Sequence, residues 1–432
     1  MDDEYSEVPH VVIIGGGITG LSAAFYLERT ARAAGAPVRY TLIERDDRFG
    51  GKIQTDTVVG AAGEFIVEGG PDSFVVQKPW GVQLARDLGL GDQLIGTRDA
   101  RHTVYVLVNG VPRAMPDGMM LIIPTRLMPF LLSPLLSLRG KLRMALDLFI
   151  PPRRDGADET LADFIRRRLG AEALDRLAEP LLAGIHSAEP ELQSLLATYP
   201  RFRALEQQHG SLIRGMLAQR NGIKNHPEGT RPMGGSSPFV TLRGGVGELV
   251  RALLDRLDGR LIKGSGVAAI ERDPTAAAPY RVRLDNGEAL SADAVILTTP
   301  AFAAADLVAS FQPALAAGLR QIRYVSTGIV SLAYWRADLG AALDGFGMII
   351  PKSEGRRINA LTMTSTKFEG RAPADCALLR VFVGGSRAPE AVELDDAALL
   401  ALVRTELSDI LGIAATPLWS RIYRWPRANP QY

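Results

Sequence analysis

The pattern of apolar and polar positions near the amino-terminal end predicts a strand, a tight turn and a helix. VVII, residues 11–14, is a run of four apolar residues, which is typical of a strand buried on both faces of a parallel sheet. Gly15, Gly17 and Gly20 follow with the spacing G-x-G-x-x-G, and the helical pattern of LSAAFYLERTARAA begins directly after them. The sequence therefore predicts a strand, a turn and a helix that can hold a ligand at the helix start.

The rest of the chain alternates between helix-type and strand-type patterns, which favours an α/β fold. Residues 153–220 carry apolar side chains three and four positions apart and are predicted to be helical. Three strand candidates follow in succession, namely LIKGSGVAAIER, YRVRLDNGEALSAD with a hairpin turn at Asn286 and Gly287, and AVILTTP. Residues 301–420 mix strands such as GIVSLAYW with helices and are expected to form a second sheet.

Composition changes this picture mainly by excluding classes of protein. Lys and Arg total 49 against 48 Asp and Glu, so the net charge of +1 predicts no nucleic-acid partner. The single cysteine, Cys376, rules out an internal disulfide and is typical of a cytoplasmic protein. The five histidines show no metal-ligand spacing, so no metal site is predicted.

The most apolar stretch, residues 119–150, leaves two interpretations open. Arg126 and several prolines interrupt it, and its longest uncharged run is too short to span a bilayer. One interpretation is a buried helical core. The other is an amphipathic patch flanked by Arg139, Lys141 and Arg143 that rests peripherally on a membrane surface.

The glycine turn and Glu44 together predict a dinucleotide site. Gly15 permits the turn, Gly17 lets the backbone approach a pyrophosphate, and Gly20 allows close packing of helix on strand. The helix start favours an anion. Glu44 ends the next strand, VRYTLIE, where a carboxylate accepts hydrogen bonds from ribose hydroxyls and repels a 2′-phosphate. These residues argue against NADP and leave FAD and NAD open.

The residues after Glu44 bear on that choice. In ERDDRFGGKI, a second glycine turn at Gly51 is flanked by Arg48 and Lys52. The pattern E-x-x-x-R-x-G-G-[KR] after a Rossmann-type turn resembles that of the FAD-binding amine oxidase superfamily. The resemblance implies FAD as the cofactor.

Four further stretches are similar to one family within that superfamily. EGGPDSF, PLLAGIHSAEPELQSLLATYPRF, the FVTLRGG turn and GFGMIIP resemble the protoporphyrinogen and coproporphyrinogen oxidase family of haem biosynthesis, especially its Gram-positive-type branch. The resemblance implies oxidation of coproporphyrinogen III or protoporphyrinogen IX, with six electrons passed to oxygen as hydrogen peroxide. A ferrochelatase is the partner that the pathway suggests.

The resemblance assigns a set of residues to FAD. Val267 matches a residue whose backbone meets the adenine, although an ordinary strand position is the alternative. The expected cofactor residues are Gly15, Gly17, Ile18, Thr19, Gly20, Glu44, Arg45, Arg48, Gly51, Lys52, Gly70, Pro71, Asp72, Ser73 and Val267.

The resemblance also suggests substrate contacts, but no catalytic side chain, because flavin N5 accepts the hydride in the implied reaction. Gly347 matches a position beside the reacting macrocycle, with Phe346 and Ile349 as apolar walls; the alternative is a plain β-turn. Phe368 matches an aromatic residue that stacks on a pyrrole ring in the plant branch, and core packing is its alternative.

Recognition of the propionates departs from part of the family. In the mitochondrial and plant branch an arginine opens the strand that reads VYVLVNG here, and the matching residue is Val104. Lys78 matches a lysine that takes over in the Gram-positive-type branch, Arg101 is a weaker candidate, and a solvated surface lysine is the alternative. Coproporphyrinogen carries more propionates than protoporphyrinogen, and the branch resemblance favours it, yet both substrates stay open.

The predicted architecture is α/β, with a discontinuous Rossmann-like FAD-binding domain, a mixed-sheet substrate domain and an inserted α-helical domain. Family members continue beyond the segment that ends here at Tyr432, so we expect poor FAD retention if the chain stops there. The predicted segments are FAD-binding 1–75, substrate 76–95, helical and membrane-surface 96–235, FAD-binding 236–300, substrate 301–420, and the start of a carboxy-terminal FAD-binding part 421–432.

Two other classes of function remain as alternatives. An amine oxidase or a carotenoid desaturase would share the FAD-binding half. A flavin-binding porphyrin carrier without turnover would be a different class altogether. Cys376 lies in an apolar strand and is expected to be buried rather than attached to flavin.

Overall fold

The chain forms two compact units. The computed structural model describes residues 8–98, 103–120, 122–184, 187–224, 237–343 and 345–432. The first unit comprises Met1–Thr57, Ile66–Gly96 and Ser237–Ile322. The second unit comprises Val58–Phe65, Thr97–Ser236 and Arg323–Tyr432. The sixfold segment assignment made from the sequence is finer than this division and stays a prediction.

A parallel four-stranded sheet forms the centre of the first unit. His10–Ile14 lies between Arg39–Ile43 and Ala294–Leu297, and Arg260–Ile262 pairs with the far side of Arg39–Ile43. All four residues of VVII are buried, because the strand is central and covered on both faces. The pattern of the first strand therefore predicted its place correctly.

Helices and two small antiparallel sheets complete the first unit. Its first helix, Ile18–Ala34, ends at Gly35, whose φ of 64° is a left-handed conformation that glycine adopts readily. Further helices are Pro79–Asp87, Gly91–Gln93 (3₁₀), Gly247–Leu254, Ala301–Val308 and Pro313–Arg320. The antiparallel sheets contain Val267–Arg272, Tyr280–Leu284 and Ala289–Ala292, and Phe74–Val75, Phe239–Leu242 and Leu94–Gly96. Asn286 and Gly287 lie in the turn between Tyr280–Leu284 and Ala289–Ala292, as predicted.

One strand prediction in this unit is corrected. LIKGSGVAAIER was expected to be a single strand, but it forms Arg260–Ile262 in the parallel sheet and Val267–Arg272 in an antiparallel one. Gly264 lies between them with a φ of 71°, a conformation that interrupts extended backbone. The apolar pattern runs through both strands and hides the turn.

A mixed seven-stranded sheet dominates the second unit. In spatial order its strands are Trp419–Gln431, Arg323–Trp335, Cys376–Gly384, Ile358–Met363, Gly347–Ile349, Val104–Val108 and Val111–Ala114. Gly347–Ile349 and Val104–Val108 are parallel, and the other neighbours are antiparallel. Val104–Val108, predicted as a strand inside a mainly helical segment, pairs with Gly347–Ile349 far along the chain, and Val111–Ala114 pairs with Val104–Val108. A local pattern carries no information on such pairing.

Helices form a second core in this unit and confirm the helical prediction for residues 153–220. The helices of this group are Leu127–Leu132, Leu138–Ala145, Leu161–Arg168, Ala171–Ala173, Leu195–Thr198, Pro200–His209, Leu212–Lys224 and a π-helix, Leu174–Ala183. Asp396–Leu411 packs against the sheet, and its side chains at Leu399, Val403 and Leu407 are fully buried. The short helices of this unit are Leu146–Leu148, Arg336–Leu343, Lys352–Glu354, Thr364–Lys367 and Pro389–Val392, and a short strand pair is Met119–Met120 with Ile123–Pro124. Thr55–Gly60 pairs with Gly63–Glu68, and of this hairpin only Val58–Phe65 belongs to the second unit.

Candidate functional site

The first glycine turn is packed so closely that side chains are excluded from it. A Cβ at Gly20 would lie 1.9 Å from the carbonyl oxygen of Gly15, which no atom pair tolerates. Gly15 itself has a φ of 110°, which favours glycine. The hydroxyl of Thr298 donates to the carbonyl oxygens of Ile14 and Gly15, at 2.9 and 2.8 Å. Thr298, which the sequence reasoning missed, therefore fixes this turn from a neighbouring strand.

The second glycine turn touches the first through the backbone. Gly50 donates its amide to the carbonyl oxygen of Gly16 at 2.8 Å. A Cβ at Gly51 would lie 3.1 Å from the Cα of Gly17, and a Cβ at Gly70 would lie 1.7 Å from the carbonyl oxygen of Lys52. We call the three converging segments, residues 15–20, 50–51 and 70, the glycine cradle.

The cations beside the second turn have different surroundings. The guanidinium of Arg48 donates to the carbonyl oxygens of Gly51 and Ile53, the second at 3.2 Å. Arg48 therefore stabilises the second glycine turn through its backbone carbonyl groups. Lys52 is exposed, so its ammonium is better placed than the guanidinium of Arg48 to contact an anionic ligand. Both were predicted to bind the cofactor, and that assignment stays a prediction.

Glu44 lies at the carboxyl end of its strand, beside the cradle. One carboxylate oxygen accepts the amide of Gly16 at 2.8 Å, and the other accepts the amide of Asp46 at 2.9 Å. Each carboxylate oxygen has a second lone pair, so Glu44 can still accept hydrogen bonds from ribose hydroxyls. The arrangement suits the nucleotide role predicted from its place in the sequence.

Val267 and Arg45 lie in the same part of the first unit as Glu44. The amide of Glu44 donates to the carbonyl oxygen of Ile262 at 2.8 Å, which joins the two strand ends. A Cβ at Gly266, the residue before Val267, would lie 3.3 Å from Cγ of Arg45. The structure therefore brings Val267, Arg45 and Glu44 close together, and their role in binding the adenosine stays a prediction.

Glu68 begins the EGGPDSF segment and was missed as a structural residue of this region. Its carboxylate is fully buried and accepts the hydroxyl of Thr55 at 2.6 Å and the amide of Val246 at 2.8 Å. The charge therefore lies at the start of helix Gly247–Leu254, where the helix dipole stabilises it. Beyond Gly70, Pro71 is exposed, and the Ser73 hydroxyl donates to Asp72 at 2.7 Å.

These residues fit a dinucleotide such as FAD. Among the described residues other than its chain neighbours, only the Cα of Gly51 lies within 4 Å of a Cβ placed at Gly17, at 3.9 Å, so the backbone of Gly17 is accessible to a ligand. Ile18 and Thr19 begin the helix beside it and present backbone amides that have no partner within the helix. An open backbone at a helix start, with a carboxylate at the next strand end, is the donor and acceptor set that a pyrophosphate and a ribose need.

The candidate substrate residues lie in the second unit, apart from Lys78. A Cβ at Gly347 would lie 2.4 Å from the carbonyl oxygen of Leu361, so the neighbouring strand alone requires glycine there. Phe346 and Ile349 are partly exposed, while the residues that follow each of them are buried. Phe346 is held by its amide, which donates to the carbonyl oxygen of Thr103 at 2.8 Å.

The remaining candidates are less closely grouped. Phe368 is fully buried, with the ammonium of Lys367 4.8 Å from its ring centroid and the guanidinium of Arg371 at 5.8 Å. Lys78 belongs to the first unit and is exposed at the start of helix Pro79–Asp87. Arg101 lies outside the described residues. The substrate roles of these residues stay predictions.

The fold and the cradle define a dinucleotide-binding α/β protein, and comparison with known proteins narrows that class. The family profile described as flavin containing amine oxidoreductase matches residues 18–432. The chain belongs to this family, and its cofactor is FAD. Cys376 is buried, as expected.

Individual relatives agree with the family resemblance. The coproporphyrinogen III oxidase of Bacillus subtilis (strain 168) is 37% identical over 98% of this chain and 87% of the relative. Chloroplastic protoporphyrinogen oxidase 1 of Arabidopsis thaliana is 29% identical over 98% of this chain and 78% of its own. A crystallised protein of Exiguobacterium sp. 255-15 has a TM-score of 0.83 at 31% identity, covering 98% of this chain and 88% of that one. The resemblance drawn from the sequence motifs is thereby confirmed.

Proposed function

We propose that this chain oxidises coproporphyrinogen III to the porphyrin in haem biosynthesis, using FAD and oxygen. The observation that carries the proposal is its 37% identity to the coproporphyrinogen III oxidases of Bacillus subtilis and Propionibacterium freudenreichii, each over 98% of this chain. Chloroplastic protoporphyrinogen oxidases are 28–30% identical, and the coproporphyrinogen III oxidases of Staphylococcus aureus and Mycobacterium bovis are also 29% identical. Protoporphyrinogen IX is therefore the second substrate to test.

The residues of the first unit have a binding role in this proposal. The glycine cradle lets the backbone amides near Gly17 meet the pyrophosphate, and Glu44 accepts the ribose hydroxyls. When bound, FAD supplies the oxidation itself, which removes six electrons from the porphyrinogen in three cycles and yields hydrogen peroxide from oxygen. The protein positions the cofactor and the substrate and excludes water from the reacting groups.

The residues of the second unit orient the substrate in this proposal. Phe346 and Ile349 offer partly exposed apolar surface for the macrocycle, and Gly347 keeps the strand between them flat against its neighbour. Apolar walls exclude water from the reacting carbon. Lys78, as an exposed ammonium, is proposed to pair with a propionate.

The test is porphyrin fluorescence under air with added FAD, measured side by side on coproporphyrinogen III and protoporphyrinogen IX. We expect fluorescence to rise well above autoxidation, faster with coproporphyrinogen III, and hydrogen peroxide to accumulate with it. Silence on both porphyrinogens with FAD bound would contradict the proposal. Turnover of an amine or a carotenoid would then indicate another flavin oxidoreductase, and porphyrin binding without turnover would indicate a carrier.

Peripheral membrane contact is the second part of the proposal, and it rests on a cluster of exposed apolar side chains. Among the described residues, no helix is long and apolar enough to cross a bilayer. The apolar patch comprises Leu127, Met128, Leu131, Leu132, Leu138, Leu142, Leu146 and Phe149, which are 44–79% exposed. A patch of this kind on short helices suits the interface of a lipid bilayer.

The cations beside the apolar patch divide into two kinds. Lys141 donates to the carbonyl oxygens of Leu131 and Ser133, each at 2.7 Å, and Arg143 donates to carbonyl oxygens at 166–168. These two cations therefore satisfy helix ends. Arg126 and Arg139 are exposed and are the ones we expect to meet anionic lipid.

Sedimentation with vesicles tests the membrane proposal. Substitution of both Leu132 and Leu138 by Ser should abolish binding to vesicles that contain anionic lipid, because their side chains are 78% and 71% exposed. Leu315→Ser, at a 51% exposed position of the first unit, is the matched control and should leave binding unchanged. Absence of binding by the unaltered chain would contradict this part. Hand-over of product to a ferrochelatase remains a proposal from the pathway alone.

A further inference from the structure

A buried ion pair joins segments of the second unit that are distant in sequence. Glu179 lies in the π-helix Leu174–Ala183, and Arg387 follows the strand Cys376–Gly384. Arg387 pairs with one carboxylate oxygen of Glu179 and also donates to the carbonyl oxygen of Ile350 at 2.6 Å. The side chains of Glu179 and Arg387 are only 7% and 14% exposed.

The π-helix also holds the segment that follows Ile350. The other carboxylate oxygen of Glu179 accepts the amide of Lys352 at 3.1 Å. One turn earlier, Asp175 accepts the hydroxyl of Ser353 at 3.0 Å. π-helical turns are uncommon and occur often at functional sites. The contacts of Glu179 and Asp175 therefore anchor the chain just after Gly347–Ile349.

The pair has to be complete for Glu179 to stay ionised. Burial raises the pKa of Glu179, although Arg387 and the amide of Lys352 favour the charged form and oppose this effect. The charge of Asp175 raises the pKa further. Loss of Arg387 would leave a buried carboxyl group without its counter-charge, and the contact with Ile350 would be lost at the same time.

We propose that Glu179 and Arg387 are positioning residues that fix Gly347–Ile349, the apolar wall proposed above for the porphyrinogen. This inference rests on the proposed function. The strand has a neighbour on each side, but it is only three residues long, so the contacts at its exit help to fix where Ile349 lies. Displacement of a wall that contacts the bound substrate weakens binding of that substrate, and a loss of binding alone raises KM.

Steady-state kinetics of Arg387→Met in the full chain with FAD tests the inference. We expect the KM for coproporphyrinogen III to rise about tenfold with kcat nearly unchanged, since a displaced wall weakens binding without altering the chemistry. FAD retention should not change, because Arg387 lies outside the unit that holds the cradle.

A matched control separates positioning from general stability. Arg203 is also a buried arginine of the second unit; it pairs with buried Glu159 at 2.8 Å and donates to the carbonyl oxygen of Ala157. Arg203→Met should also lower stability, although less than Arg387→Met because Glu159 keeps Arg153 and Arg167 as partners, and it should leave KM unchanged. An equal rise of KM in both variants, or none in Arg387→Met, would overturn the inference.

A double variant sharpens the distinction. Glu179→Leu with Arg387→Met replaces both buried charges by apolar groups, so much of the lost stability should return. The contacts to Ile350 and Lys352 stay absent in this variant. KM should therefore remain high although the protein is stable, and a KM that recovers with stability would overturn a positioning role.

Hydrogen exchange decides the inference without any turnover. The amide of Lys352 donates to Glu179, so Arg387→Met should speed exchange at residues 347–352, and Arg203→Met should not. Unchanged exchange in this segment would overturn the positioning role. A chain that oxidises no porphyrinogen would instead contradict the proposed function, and the exchange result would still stand by itself.

Discussion

The glycine cradle of the first unit and the strand Gly347–Ile349 of the second are held by different kinds of contact. In the cradle, backbone meets backbone, and a Cβ at Gly20 or Gly70 would lie within 2 Å of a carbonyl oxygen. Beside the strand, buried side-chain charges at Glu179 and Arg387 fix the backbone from outside. The cradle therefore depends on glycines, whose lack of a side chain lets the backbone segments touch. The strand Gly347–Ile349 depends instead on two buried charges that must be paired.

The largest expected effect on cofactor binding is at the cradle. Gly20→Ala would force a Cβ to within 1.9 Å of the Gly15 carbonyl oxygen, so the helix start must move away from the turn. We expect FAD affinity to fall by about 100-fold or more, because the backbone amides then no longer converge on the pyrophosphate. Fluorescence titration of FAD measures the loss.

Gly318→Ala is the matched control for this prediction. Gly318 lies in helix Pro313–Arg320 of the same unit, and outside that helix no atom of the described residues lies within 4 Å of a Cβ placed there. Alanine favours helix by about 1 kcal/mol, so this variant should bind FAD normally and be slightly more stable. Normal FAD affinity in Gly20→Ala would remove the distinction between the two sites.

The next effect concerns buried charge in the second unit, away from the proposed wall. Arg168 and Asp147 are both fully buried and paired, and Arg168 also donates to the carbonyl oxygen of Gly210 at 2.9 Å. Arg168→Met leaves Asp147 without its counter-charge, so we expect the free energy of unfolding to fall by about 3–5 kcal/mol. Urea denaturation measures this change.

Its control lies two positions earlier in the chain. Arg166 is 44% exposed and pairs with partly exposed Glu191, so Arg166→Met should alter stability by less than about 1 kcal/mol. Equal losses at Arg166 and Arg168 would contradict the view that burial makes these charges important. The FAD affinity of the folded protein should stay unchanged in both variants.

The same contrast explains what the sequence could predict. Gly15, Gly17, Gly20 and Glu44 act within one strand, turn and helix, so their spacing alone indicated the cofactor site. Glu179 and Arg387 are 208 positions apart, and no local pattern links a glutamate in a helix to an arginine after a distant strand. The partners of a buried charge become visible only in the folded chain.

The fold shows the same limit in two places. VYVLVNG was predicted as a strand, but its own apolar pattern cannot specify that Val104–Val108 pairs with Gly347–Ile349. LIKGSGVAAIER divides into two strands because Gly264 turns between them. Thr298 and Glu68 were missed since each acts on a turn that is remote in sequence.

The smallest expected effect depends on pH and concerns Asp87, in helix Pro79–Asp87 of the first unit. Burial raises the pKa of Asp87, but hydrogen bonds from Gln83, Tyr26 and Arg29 outweigh it and lower the pKa below its ordinary value of 3.8. A carboxylate whose pKa is lowered by folding stabilises the folded state at pH values above its ordinary pKa. This contribution is lost as the pH falls through the pKa that the group has in the folded protein. Asp87→Asn should therefore lower the urea midpoint at pH 7.

The difference between Asp87→Asn and the unaltered chain should shrink as pH falls below 3.8. Arg29, which pairs with Asp87 at 2.8 Å, is 53% exposed, so salt should weaken this effect more than that of Arg168→Met. Asp306→Asn, in an exposed pair with Arg320, is the control and should show almost no difference at any pH. A stability difference that stays constant across the acid range would mean that Asp87 joins helices Ile18–Ala34 and Pro79–Asp87 by packing rather than by its charge. Stability would then depend on paired charges in the second unit alone.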